Sequence, residues 1–222
     1  MKIYELFLNM FRAIIGLFIL ASGIYLTIQA NIGLAPWDCF CMGVAEKSGL
    51  SYGQVSFSVG IVTIIADILL KQKIGPGTLL NVAICGPVVD CLSYFNPIPL
   101  QNSVPGGLLL MFSGMFLQGF GRYIYMSAAL SCGPRDALVV GIGRKFNKAP
   151  IGKVNTAILA IVLAAGILMG GKAGIGTVIS ALGLGTVMQF IFNRFHFDPR
   201  SVNNLDLKDT FKVLSGKEKR SR

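Results

Sequence analysis

Asp38 and Asp136 each follow a proline by two residues, in Pro36-Trp37-Asp38 and Pro134-Arg135-Asp136. Each opens a short, mildly polar segment, 36–47 and 134–147, set between long apolar runs. Proline suits the first helical position, where its missing N–H has no role. An acid in the first turn meets the positive end of the helix dipole. A dozen helical residues reach only about 18 Å, short of a hydrocarbon core of about 30 Å. Such a piece is stable at membrane depth only where protein or a water-filled cavity covers its open end. Two half-helices or re-entrant hairpins are therefore expected. Their aspartates either cap the short helices or face a solute path, because ionisable groups are costly in a bilayer and mark functional sites there.

Other polar residues join them as candidates. Arg135 stands where the first copy has Trp37, and it reads foremost as a cytoplasmic topology charge, with an anion contact or a salt bridge as alternatives. Arg122 lies inside an apolar run and needs either snorkelling or a carboxylate partner. Asn81, Asp90 and Gln189 complete the pathway set, although Asp90 points away from Asn81 at about 100° per residue. Interhelical hydrogen bonding accounts for Asn81 equally well. Asp67, with Lys71 four residues on, reads as a helix-surface ion pair. The five cysteines (39, 41, 85, 91 and 132) are scattered among apolar residues and read as small buried hydrophobes. The single histidine, His196, lies at a membrane edge, and no catalytic constellation is clustered. No metal site, cofactor or enzymatic activity is expected.

The surrounding elements explain how such residues are positioned. Of 222 residues, 53% are hydrophobic and 14% charged, against about 25% charged in soluble domains. Apolar runs lie near 9–29, 54–70, 77–95, 106–128, 154–170 and 175–193. The net charge of +10 sits mostly in loops and the tail, as in inner-membrane proteins and unlike nucleic-acid binders. The first run continues to Ile28 and has a counterpart mid-chain, so it is a membrane helix and not a signal peptide.

That counterpart belongs to a duplication. At an offset of 98, Gly16/Gly114, Gly23/Gly121, Tyr25/Tyr123, Pro36/Pro134 and Asp38/Asp136 coincide; at 99, Gly75/Gly174, Gly77/Gly176 and Thr78/Thr177 follow. The glycines of these last pairs suit sharp reversals, and the threonines suit caps on the helices that follow. The fold class is an all-α polytopic membrane protein of two three-span repeats, each with a half-helix. The first repeat is 1–95, a Pro-rich linker is 96–105, the second repeat is 106–195, and 196–222 is a basic, mostly solvated tail with a short interfacial helix near 205–214.

The distribution of Lys and Arg arbitrates topology. With both termini inside, six crossings place Lys71, Lys73, Arg135, Arg144, Lys145, Lys148 and Lys153 inside, against Lys47 and Lys172 outside. Eight crossings divide the same charges almost evenly. Inverted repeats are the expectation.

The stretch from Tyr25 to Asp38, containing Gly33-Leu34-Ala35-Pro36-Trp37-Asp38, and then Gly75-Pro76-Gly77-Thr78, resembles the bacterial YczE/YitT group of small integral membrane proteins. The resemblance covers roughly residues 9–195. It implies an inner-membrane protein of that size and supplies no ligand-binding residues.

Function then rests on the physics. Inverted repeats with broken helices point to a small polar-solute transporter or channel, its site between the half-helices. The alternative is a non-transporting accessory protein that assists an enzyme system at the membrane. The expected partners are the bilayer and a polar solute of undetermined charge, with a homodimer left open and nucleic acid excluded.

Overall fold

In a computed structural model, residues 3–145, 151–199, 202 and 204–215 are described, and among them the regular elements are all helices. These are α1 (Ile3–Gln29), α2 (Pro36–Ser48), α3 (Tyr52–Leu69), α4 (Pro76–Phe95), α5 (Val104–Ser127), α6 (Pro134–Lys145), α7 (Ile151–Leu168), α8 (Ile175–Arg194) and α9 (Leu207–Leu214). Of these, α1, α3, α4, α5 and α8 are long and apolar enough to cross a membrane. The sixth expected span, α7, is shorter, apolar over Gly152–Leu168. The end of the expected 134–147 segment and the basic end of the tail lie outside the described residues.

Glycines set the centre of the bundle. A Cβ on Gly16 would lie 2.8 Å from the Gly121 carbonyl oxygen, and one on Gly23 would lie 2.6 Å from that of Gly114. Rising numbers on α1 meet falling numbers on α5, so the two helices run antiparallel with their backbones nearly touching. Small residues permit that approach, and close van der Waals packing is what joins helices in lipid. Outward from this pair, α1 packs on α4 and α5 on α8; α2 lies on α3 and α7, and α6 on α7 and α3. Among the described residues α3 also packs on α4, whereas α7 and α8 barely touch.

Between α1 and α2, and again between α5 and α6, the chain is irregular, with Asn31, Ala129 and Ser131 in left-handed conformations. Backbone groups freed at such depth need protein partners. The Gly176 N–H donates to the Ile32 carbonyl at 2.8 Å, and the Gly77 N–H to the Leu130 carbonyl at 2.8 Å. Each break is thus sealed by the glycine turn of the opposite half. The role expected for these glycines needs correction. Gly75 and Gly174 are extended (φ −121° and −168°), and the left-handed residues of those turns are Lys71 and Gly170. What the glycines provide is room, since a Cβ on either would stand 2.5 Å from a carbonyl oxygen of the facing break.

The threonines also divide. Thr177 Oγ1 accepts the Gly174 N–H at 3.1 Å, as a cap does. Thr78 does not cap α4; its hydroxyl donates to the Cys132 carbonyl at 2.8 Å. With Pro76 as the first helical residue, Thr78 falls in the third position, directly against the second break. The tail is less solvated than its composition suggests. The Leu205 N–H donates to the Ala129 carbonyl (3.0 Å) and the Leu207 N–H to that of Ile74 (2.9 Å), which docks α9 over the same break.

Candidate functional site: the meeting of two half-helices

Local capping decides where the functional side chains point. Pro36 opens α2 behind the N-cap Ala35, so Asp38 occupies the third helical position, and left-handed Gly49 (φ 71°) closes the helix. The next helix starts three residues later, at Tyr52. Ser51 accepts the Gln54 N–H while the Gln54 side chain accepts the Ser51 N–H, a reciprocal cap on α3. Asp90, from α4, accepts the Gly53 N–H at 2.8 Å and the Ser51 hydroxyl. A negative charge suits this helix start. The arrangement fixes Tyr52 at the head of α3, facing α2.

The Tyr52 hydroxyl donates to Asp38 Oδ1 at 2.8 Å. From the other half, Arg135 Nη1 stands 3.7 Å from the same oxygen. The Arg135 guanidinium lies 5.0 Å above the Trp37 ring, and its Nη2 reaches Ser56 Oγ at 3.4 Å. Asp38 is only 4% exposed. A charge so enclosed is stable only with a counter-charge and hydrogen bonds, and the aromatic face adds a cation–π contribution. Two expectations change accordingly. Asp38 makes no capping hydrogen bond and instead ties the two halves together. Arg135 is not a loop charge, because its long side chain turns inward to the Asp38 carboxylate.

Tyr52 also separates two cavities. A large groove of about 820 Å³ is lined by Asn31, Glu46, Tyr52, Asp90 and Lys172 among others. A small cavity of about 70 Å³ is lined by Tyr52, Ser56, Asn81, Arg122, Tyr125, Arg135 and Asp136 among others. So Asn81, Arg122, Arg135 and Asp136 come together at the small cavity, with Trp37 and Asp38 behind Tyr52 and Arg135. Asp136 makes no hydrogen bond or ion pair with the described residues, and a Cβ on Gly133 would sit 3.5 Å from its Oδ2 and 3.8 Å from Asn81 Nδ2. Arg122 makes no ion pair with a carboxylate among the described residues; its Nη1 donates to Met188 Sδ at 3.1 Å. Asp90 faces the large groove. Gln189 lies apart, exposed on α8 and bonded to Asn193 at 2.8 Å.

Asp67 departs furthest from expectation. It is fully buried, and neither carboxylate oxygen has a partner among the described residues. Lys71 cannot pair with it as a helical neighbour, because α3 ends at Leu69 and Lys71 turns into a left-handed conformation (φ 55°). Among the cysteines, 39, 41 and 85 are buried as expected, whereas Cys91 is exposed on α4.

Tyr52 and Tyr125 were not legible as site residues. Tyr52 aligns with Ile151 in the second repeat and Tyr125 with Thr27, so a search for shared positions passes over both.

A family model described as "Family of unknown function (DUF6198)" matches residues 7–193. The chain belongs to this family. The match runs from within α1 to within α8 and stops short of α9. The chain is 34% identical over 178 residues to the uncharacterized membrane protein YczE of Bacillus subtilis, covering 79% of this chain and 81% of the relative. It is 31% identical over 178 residues to an uncharacterized protein of Haemophilus influenzae, covering 80% of each. A third relative, the uncharacterized protein YyaS of Bacillus subtilis, is 31% identical over 184 residues, 80% of this chain and 89% of its own. No solved structure matches. With its apolar helices, this member of the DUF6198 family is an integral membrane protein.

Proposed function

We propose that the protein moves a small polar solute across the bacterial inner membrane, with two inverted repeats and a site between the half-helices α2 and α6. One observation carries this reading: the starts of α2 and α6 meet through Asp38 and Arg135, with a polar cavity on one side of Tyr52 and a groove on the other. Broken helices that meet at a repeat interface, beside two separate spaces, are parts that alternating access uses. The antiparallel crossing of α1 and α5 supports inversion. Gly16 meets Gly121 while its repeat partner Gly114 meets Gly23, the reciprocal pattern of a two-fold axis across the helices.

Arg135 drops out of the topology count because it pairs inside. The remaining loop charges still place Lys71, Lys73, Arg144, Lys145, Lys148 and Lys153 opposite Lys47 and Lys172. The second reading, an accessory protein, is favoured by α9, which is docked on the bundle yet leaves Phe211 72% exposed.

Flux measured in proteoliposomes against empty vesicles separates the two. Uptake of a polar solute that vanishes with Arg135→Leu supports transport, and a tight bilayer across a broad solute panel removes it. Single cysteines at 72 and 100, in a protein stripped of native thiols, should label from the cytoplasmic side and from outside respectively. Labelling of position 72 from outside would break the inverted topology.

A further inference from the structure

The small cavity holds charges that the protein leaves unmatched. Arg135 is answered by Asp38 at 3.7 Å, so that pair is internally compensated. Arg122 is not: it makes no ion pair among the described residues, and its guanidinium donates to the thioether of Met188. Asp136, which lines the same cavity, has no partner among the described residues, and no ion pair joins it to Arg122. Tyr125 lines the same space at 2% exposure, and its buried hydroxyl has no partner either. An unpaired cation, an unpaired anion and an unused hydroxyl around one cavity form a set of complements.

We propose that this cavity binds a small zwitterion, its carboxylate held by Arg122 and the Tyr125 hydroxyl and its ammonium by Asp136. This rests on the transport reading for its purpose, though not for its existence as a binding site. A simple anion would be answered by Arg122 but would stand against the Asp136 carboxylate. A simple cation would be answered by Asp136 but would meet two guanidiniums and the positive start of α6. Only a ligand with both charges neutralises what the walls expose, and burying one charge without its complement is strongly unfavourable. Size narrows the class further. The cavity is small, about 70 Å³, which favours the smallest zwitterions. The simplest is an ammonium and a carboxylate joined through one carbon.

The protein supplies its own reporter. Trp37 is the sole tryptophan, and Arg135, which lines the cavity, lies over its ring. Purified full-length protein is titrated with glycine, acetate and methylammonium, read by Trp37 fluorescence and by calorimetry. The expected result is saturable glycine binding, with acetate and methylammonium each at least about tenfold weaker because each leaves one wall charge unmet. Arg122→Gln and Asp136→Asn should each weaken glycine by a similar factor, and Tyr125→Phe by less. The three probes decide the matter on the parent protein even where Arg122→Gln fails to fold. Acetate binding as tightly as glycine, or methylammonium doing so, overturns the proposal in favour of a single-sign site. Silence from all three overturns it in favour of an Arg122–Asp136 pair bridged by water. Glycine binding without flux removes transport and leaves the site; flux of another solute without glycine binding does the reverse.

Discussion

Both α2 and α6 begin with proline at the first helical position and aspartate at the third, yet their surroundings are opposite. Asp38 is 4% exposed and held by the Tyr52 hydroxyl and Arg135. Asp136 is exposed to the small cavity and unpaired among the described residues. Two substitutions between the repeats produce this difference. Where α3 begins with Tyr52, α7 begins with Ile151, so the second aspartate has no hydroxyl to receive. Where α2 carries Trp37, α6 carries Arg135, and its charge is spent on the other half's carboxylate. Two helix starts of the same residue pattern are thus enclosed in one case and open in the other, because the residues around them differ.

The largest effect is expected at Arg135. Arg135→Leu leaves Asp38 buried without its counter-charge, which costs about 3 kcal/mol when one partner of a buried pair is removed. Thermal unfolding in detergent should fall accordingly, and an unchanged midpoint would mean that the pair contributes nothing to closure. Tyr52→Phe comes next. It removes a hydrogen bond to a charged group, worth about 2 kcal/mol. It should also let an impermeant thiol reagent, added from the side of the large groove, reach a cysteine placed at Ser56. A cysteine there that stays protected would show that Tyr52 does not divide the two spaces. The smallest effect on stability belongs to Asp136→Asn, within about 0.5 kcal/mol because no contact is lost. A clear loss of stability in that variant would reveal a partner for Asp136 and erase the contrast with Asp38.

Much of the fold was legible because the bilayer restricts what a chain can do. Apolar runs of span length have to be helices, and a helix as short as 36–47 cannot span the hydrocarbon core. Proline at 36 and 134 placed the helix starts to the residue. Asp38, Arg135, Asn81, Arg122 and Asp136 could be named as candidates because polar groups are rare and costly in such runs.

What sequence alone could not supply was pairing. Gly75 and Gly174 read as turn formers, whereas tertiary structure uses them for close approach to the opposite break. Asp67 read as half of a surface ion pair, and only the end of α3 at Leu69 removes Lys71 from its reach. Tyr52 was invisible because its importance lies in a contact with Asp38 across a helix turn, and spacing along one chain carries no record of which side chains meet. Local steric and dielectric rules act on each segment separately and are written in composition and period. Charge neutralisation and cavity shape arise between segments, so they were decided only when α2 and α6 met.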